Sequence, residues 1–347
     1  MNLPLAPPYP PMECLPVSTI PIGPNWQYEP KWDGFRCLAF RDGGEIYLQS
    51  KAGQPLARYF PEVVETLLAV KAKKFVLDGE LVIPIEGVLS FDDLLQRIHP
   101  AASRIAKLSK EIPASFLVFD LLVDARGRRL VDDPLRERRQ ALEEFASGSF
   151  GNLERLHLSP ASEERAEVER WFAMVGGALD GVIAKRSDFN YRSGDRTGAQ
   201  KIKHLRTADC VIGGFRYSKD KTGVASILLG LYDGSGKLNH VGFSSGFQTG
   251  ERRDLLKKLE PLIAAPGFTG NAPGGPSRWK QTEEPWEPLA PTLVVEVRFD
   301  HVSGGRFRHG TKVLRWRHDK TPESCSIDQM LAPAAASPLA LVSRAHA

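Results

Sequence analysis

The stretch Tyr-Glu-Pro-Lys-Trp-Asp-Gly-Phe-Arg at residues 28–36 sets one amine, Lys31, between a proline and a tryptophan. Asp33-Gly34 follows two positions on and Arg36 five positions on. Asp-Gly between apolar flanks reads as a turn between strands. A lysine there is ordinarily a snorkelling side chain on a strand edge. The alternative is a nucleophile, an amine held partly dry by Pro30 and Trp32. Further along, Leu-Asp-Gly-Glu-Leu at 77–81 places Asp78 and Glu80 on one face of an apolar strand at period two. Leu-Asp-Gly-Val-Ile-Ala-Lys-Arg at 179–186 sets Asp180 and Lys185 five positions apart, on opposite faces of a regular strand. Gln-Lys-Ile-Lys at 200–203 alternates Lys201 and Lys203 about Ile202, and Phe-Leu-Val-Phe-Asp at 116–120 sets Phe119 inside a sheet. Singly these are hairpin turns, a solvated strand face and a core aromatic.

The elements that must position them are legible in outline. At 347 residues the chain exceeds one typical domain and fits two, with the apolar and charged fractions of a soluble globular protein. A net charge of +4 permits a nucleic-acid partner without demanding one. Cys14, Cys37, Cys210 and Cys325 are scattered without a Cys-x-x-Cys pair, which argues against a zinc ribbon or a disulfide framework. The pattern contains neither a signal peptide nor a spanning segment, so the expectation is a cytoplasmic protein with no membrane partner. Residues 1–24, with eight prolines, read as an extended lead-in. Residues 35–50 read as a hairpin, and "FVLDGELVI" and "FLVFDLLV" as buried strands. "FPEVVETLLAVKAK", "SFDDLLQRIH" (capped by Ser90), "DPLRERRQALEEFA" and "SEERAEVERWFAMV" read as helices. After Arg206, five or so short strands with a single helix, "GERRDLLKKLEPLIA", fit a small antiparallel barrel. The expected organisation is 1–24 lead-in, 25–205 first domain, 206–332 barrel domain and 333–347 disordered tail.

In this order the motifs resemble the covalent nucleotidyltransferases: DNA ligases, RNA ligases and messenger-RNA capping enzymes. "KWDGFR", "VLDGEL", "FLVFDLL", "LDGVIAK", "QKIK" and, at 314–320, "LRWRHDK" are similar to motifs I, the acidic strand, III, IV, V and VI of that superfamily. The nearest resemblance is to the small bacterial ATP-dependent DNA ligases, over about residues 25–332. It implies an α+β fold, an adenylation domain of antiparallel sheets with flanking helices followed by an OB-fold barrel. It implies an enzyme in which Lys31 attacks the α-phosphorus of ATP to give lysyl-AMP, with Mg²⁺ or Mn²⁺ as metal. An RNA ligase, a GTP-using capping enzyme and a non-catalytic OB-type binding protein are the alternatives.

The resemblance also implies roles. Glu29 reads adenine, Arg36 holds ribose or phosphate, and Phe119 stacks on the base. Lys51, where the superfamily usually has arginine, faces phosphate without the bidentate fork. Glu80 contacts ribose or metal and Asp180 the metal, as a shorter stand-in for the usual glutamate. Lys185, Lys201 and Lys203 grip the phosphates, and Gln200 replaces a common tryptophan. Arg317, Asp319 and Lys320 orient the leaving pyrophosphate. For that attack the Lys31 pKa must fall, through burial or cations such as a metal, Lys185 or Lys203. Nicked duplex DNA is the implied partner, taken up by a monomer, with other repair proteins as further partners. Arg206, Arg216, Lys219, Lys221, Arg306, Arg308, Lys312, Arg315 and Arg317 are the basic residues of the second domain, with "SKDKTG" at 218–223 as the candidate phosphate-gripping loop.

Overall fold

A computed structural model describes residues 1–174, 179–203, 205–274, 284–331 and 339–343. The chain divides into two compact units, Met1–His204 with 333–347, and Leu205–Ala332. No helix among the described residues is long and apolar enough to cross a membrane.

In the first unit the strands are β1 (Leu15–Val17), β2 (Trp26–Lys31), β3 (Phe35–Asp42), β4 (Glu45–Ser50), β5 (Lys74–Val82), a short hairpin of β6 (Pro84–Ile85) and β7 (Val88–Leu89), β8 (Ser115–Val123), β9 (Leu156–Leu158), β10 (Gly181–Arg186) and β11 (Ala199–Ile202). They form two main sheets, ordered β4-β3-β5-β8-β9 and β1-β11-β10-β2, antiparallel except at β8–β9 and β1–β11. Helices α1 (Pro61–Ala69), α2 (Phe91–Gln96), α3 (Ala102–Glu111), α4 (Leu135–Ser149) and α5 (Arg165–Ala173) flank them. Pro61 opens α1, and the Ser90 hydroxyl accepts from the Asp93 amide to cap α2.

Alternation along the five-stranded sheet sorts its side chains. Cys37, Ala39, Phe75 and Leu77 join a core with α1 and α4, whereas Leu38, Phe40 and Val76 pack with Leu5, Met12 and Tyr191. Arg36, Asp78 and Glu80 share the parity of that second group, so the sheet presents them where the N-terminal segment lies. That segment is therefore more than a lead-in. Leu5 and Met12 are buried, and β1 adds a strand beside β11. The tail is also not wholly irregular, because α7 (Leu339–Ser343) is helical and buries Val342 with Trp171 and Val168; the rest of 333–347 lies outside the described residues.

The second unit is built from β12 (Arg206–Tyr217), β13 (Val224–Tyr232), β14 (Leu238–Ser244), α6 (Thr249–Leu259), β15 (Glu287–Pro288), β16 (Val294–Phe299), the short pair β17 (Val302–Ser303) and β18 (Arg306–Phe307), and β19 (Lys312–Trp316). Its antiparallel path runs β14-β13-β12-β16-β19. The five strands of that path with α6 match the expected OB element set, but among the described residues the sheet does not close into a barrel. Its two ends meet at the Ser244–Thr311 bridge, where the Ser244 hydroxyl donates to the Thr311 carbonyl at 2.8 Å and the Thr311 amide donates to the Phe243 carbonyl at 3.1 Å.

Candidate active site

Lys31 ends β2, opposite Gly181 of β10, and the Asp180 amide donates to the Lys31 carbonyl at 2.9 Å. Gly181 has φ +153°, and a Cβ there would stand 2.1 Å from the Ile202 carbonyl oxygen. Only glycine lets β10 come so close to β11. Asp180 precedes the strand instead of lying in it, so the expected opposition of Asp180 and Lys185 does not apply. The Asp180 carboxylate forms an ion pair with Lys31 and lies 3.2 Å from Lys203 Nζ.

Lys31 lines a pocket with Glu29, Arg36, Lys51, Glu80, Phe119, Lys185 and Lys201. Phe119 is the unpaired residue of a bulge, since β5 and β8 match Gly79 with Val118 and Asp78 with Asp120. Its ring is flanked by the Arg36 guanidinium at 4.5 Å and Lys185 Nζ at 4.6 Å. Arg36 is held bidentately by the fully buried Asp78, at 2.5 and 2.6 Å. Lys185 pairs with Glu29 at 2.7 Å, both buried, and Lys51 pairs with Glu13 at 3.2 Å.

The electrostatics correct one expectation. Burial pulls the Lys31 ammonium down, but the Asp180 carboxylate, with Glu80 and Asp33 beyond it, outweighs burial and leaves its pKa above the ordinary lysine value. Neither proposed cation relieves this, because Lys185 faces Glu29 and Lys203 faces the same Asp180. Burial, with Lys31 adding to it, does depress Lys201. Burial pushes Glu80 up to about 7 against the attraction of Lys31 and Arg36.

No group of three or more His, Cys, Asp or Glu among the described residues is arranged as a metal cage. Mg²⁺ is commonly held by one or two carboxylates together with substrate phosphates, and Glu80, raised and close to Lys31, suits that use. Asp180 fits less readily, since two lysines already occupy it.

Sequence reasoning missed several contributors. Pro11, Met12, Glu13 and Cys14 form one wall of the pocket. Tyr191 ties that wall to the sheet: its hydroxyl donates to Asp78 at 2.6 Å and accepts from the Met12 amide at 2.9 Å. Gln27 stands behind Glu29, and only its period-two spacing from Glu29 signalled it.

Motif VI belongs to the second unit. Arg317 donates to Asp209 at 2.7 Å and bidentately to Asp319 at 2.9 and 2.8 Å, while Lys320 lies 4.0 Å from Asp209. Arg206 is not a free basic group: it donates to the carbonyls of Gln329, Met330 and Leu331 and covers Phe299. In the "SKDKTG" loop, Asp220 accepts from Ser218 and Thr222, leaving Lys219 and Lys221 exposed.

A lysine beside paired carboxylates and amines, at the mouth of two antiparallel sheets and followed by a separate β unit, defines a nucleotidyl-transferring enzyme. The family model for the ATP dependent DNA ligase domain matches residues 17–203, and that for the ATP dependent DNA ligase C terminal region matches 220–320. The chain belongs to the ATP-dependent DNA ligases and uses ATP. It is 42% identical to DNA ligase C of Mycobacterium tuberculosis, over 96% of each chain. It is 45% identical to DNA ligase C1 of Mycolicibacterium smegmatis, over 96% of this chain and 97% of that one. A solved structure from a structure-function analysis of Lig E DNA ligases shares the fold, with a TM-score of 0.54 at 16% identity, over 88% of this chain and 100% of that one.

Proposed function

We propose that this ligase seals nicks in duplex DNA through a covalent adduct on Lys31. The Lys31 amine, once neutral, attacks the α-phosphorus of ATP. A P–N bond forms, the bond to the β-phosphate oxygen breaks, and pyrophosphate leaves with the electron pair. A DNA 5′-phosphate then takes the AMP, and the adjoining 3′-hydroxyl displaces it to close the strand. The observation that carries this reading is the convergence of Lys31 with Glu29, Arg36, Glu80, Phe119, Lys185 and Lys201 on one pocket. Phe119 offers a face for the base, Arg36 is fixed for ribose or phosphate, and Lys51, Lys201 and Lys203 supply charge toward the phosphates. Glu80, with Asp180 after it leaves the lysines, would hold Mg²⁺ or Mn²⁺, which when bound neutralises developing phosphate charge. The repair role of end-joining LigD of M. tuberculosis, 30% identical over 86% of this chain and 37% of that protein, supports repair as the setting.

Incubation with α-labelled ATP and magnesium should give an acid-labile, base-stable protein adduct. Lys31→Ala should abolish it, and so should Lys31→Arg, whose guanidinium stays protonated. Equal labelling of the alanine variant removes Lys31 from the chemistry.

A further inference from the structure

We propose that Gln27 is a positioning residue that fixes the Glu29 carboxylate and so sets the selection of adenine over other purine triphosphates. The inference deepens, and rests on, the reading of Glu29 as the group that meets the base. Gln27 and Glu29 lie two apart on β2, hence on one face, and Gln27 stands opposite Lys185 of β10. The three form a buried chain: Gln27 is 5% exposed, Glu29 2% and Lys185 4%. Gln27 Nε2 donates to Glu29 Oε1 at 2.8 Å, and Lys185 Nζ lies 2.7 Å from Glu29 Oε2. Glu29 and Lys185 line the pocket, while Gln27 does not; it sits behind them.

A carboxylate only accepts, with about four lone-pair sites over its two oxygens. Gln27 and Lys185 use one site on each oxygen and leave capacity for the pocket. At the six position adenine presents an amine donor and guanine an oxygen acceptor. An acceptor-only group therefore attracts the first and repels the second. Selection needs a fixed carboxylate plane, yet the last glutamate torsion is broad and Lys185 anchors only one oxygen. Gln27 is the second anchor. Because its amide is neutral, it pins the other oxygen without adding a second positive charge that would weaken the carboxylate as an acceptor.

The test is the rate of adduct formation per unit of nucleotide with ATP, GTP and purine riboside triphosphate, which lacks the exocyclic amine. The wild-type chain should prefer ATP over the amine-free analogue by tenfold or more. Gln27→Met, similar in length but without the donor, should shrink that ratio about tenfold. It should do so by losing rate with ATP while keeping its rate with the analogue, a pattern general misfolding cannot give. Should the methionine variant lose its melting transition, Gln27→Asn, one methylene short, is measured in the same way. A wild-type enzyme indifferent to the amine overturns the reading of Glu29 itself. A wild-type preference that survives in the Gln27 variants overturns the role of Gln27 alone.

Discussion

Among the described residues neither buried ring nitrogen of His240, on β14, finds a hydrogen-bond partner, and the ring meets Phe268 edge-on at 5.4 Å. Burial, with Arg306 and Arg216 adding repulsion, holds the imidazole down to about 4. An unfolded histidine protonates near 6.5. Between those values the unfolded chain takes a proton that the folded chain refuses, so stability falls as pH drops through this window. His240→Leu removes both the unsatisfied nitrogens and the titration. It should melt higher than wild type, by about 1–2 kcal/mol near pH 5, with a smaller gap at pH 7. Thermal denaturation at pH 5, 6 and 7 checks this, and a gap that does not change with pH counts against it. Single residues were legible in the sequence where chemistry demands a type. Lys31, Glu80 and the lysines about Ile202 read as ordinary strand and turn residues one by one, and became candidates only through the order of the motifs and their resemblance to the superfamily. Their pairings were not legible, because Asp180 meets Lys31 only through the pairing of β10 with β2, and meets Lys203 only where Gly181 lets β11 come close.

Elements were legible where an apolar run or a cap marks them, as in β5, β8 and α2, and illegible where tertiary pairing creates them. Helix α3 is short and mostly exposed, and its apolar face amounts to Ile105, buried, with Leu108 half-buried one turn on, which is too little to stand out in the sequence. The proline-rich N-terminal segment has no periodicity, yet it walls the pocket by borrowing partners from elsewhere. The Gln49 side chain pairs with both backbone groups of Tyr9, Ser193 donates to the Pro10 carbonyl, and the Tyr191 hydroxyl bridges Met12 and Asp78. Tyr191→Phe should thus loosen an element, not only a residue. It leaves the Met12 amide and one Asp78 oxygen short of a partner in a buried site, at a cost of about 1–3 kcal/mol. Because Asp78 also holds Arg36, half-saturating ATP for adduct formation should rise severalfold with a smaller change in maximal rate. An unchanged ATP dependence would mean that the segment covers the pocket without shaping it. Gly181→Ala should be harsher. The 2.1 Å approach to the Ile202 carbonyl leaves no room for a methyl, so β10 and β11 must part and the Lys31–Asp180–Lys203 cluster with them. Loss of the adduct together with a lowered melting temperature is the expected outcome, and normal labelling would show that this strand contact is not needed.

At the scale of the whole molecule, the charges of the first unit give a reason to expect that the second unit takes part in the first step. Five of the six pocket-side cations of the first unit already face a carboxylate: Lys31 and Lys203 with Asp180, Arg36 with Asp78, Lys51 with Glu13 and Lys185 with Glu29. Of these six only Lys201 has no acidic partner among the described residues, and burial beside Lys31 depresses its pKa. A triphosphate therefore enters a pocket whose positive charge is mostly neutralised, and in-line attack by Lys31 puts the departing pyrophosphate on the side opposite the amine. Further cations must reach that side when the first step occurs, and Arg317 and Lys320 are the ones the motif order assigns to it. In the second unit Arg317 pairs with Asp209 in a partly buried contact and with the exposed Asp319, and Lys320 lies near Asp209; a polyanion would compete with these carboxylates. Such an approach would be followed by withdrawal so that DNA can be bound, with the junction near residue 205, where the two units divide, as the hinge. Arg317→Ala and Lys320→Ala should each slow adduct formation tenfold or more. Both should seal a nick that already carries AMP at a rate within a few-fold of wild type, because no pyrophosphate leaves in that step. The two reactions are measured separately, with melting curves to confirm that loss of the Arg317–Asp209 contact has not unfolded the unit. Variants that form the adduct normally yet fail to seal the pre-adenylated nick would place these cations on DNA and not on ATP, and the closure argument would fall.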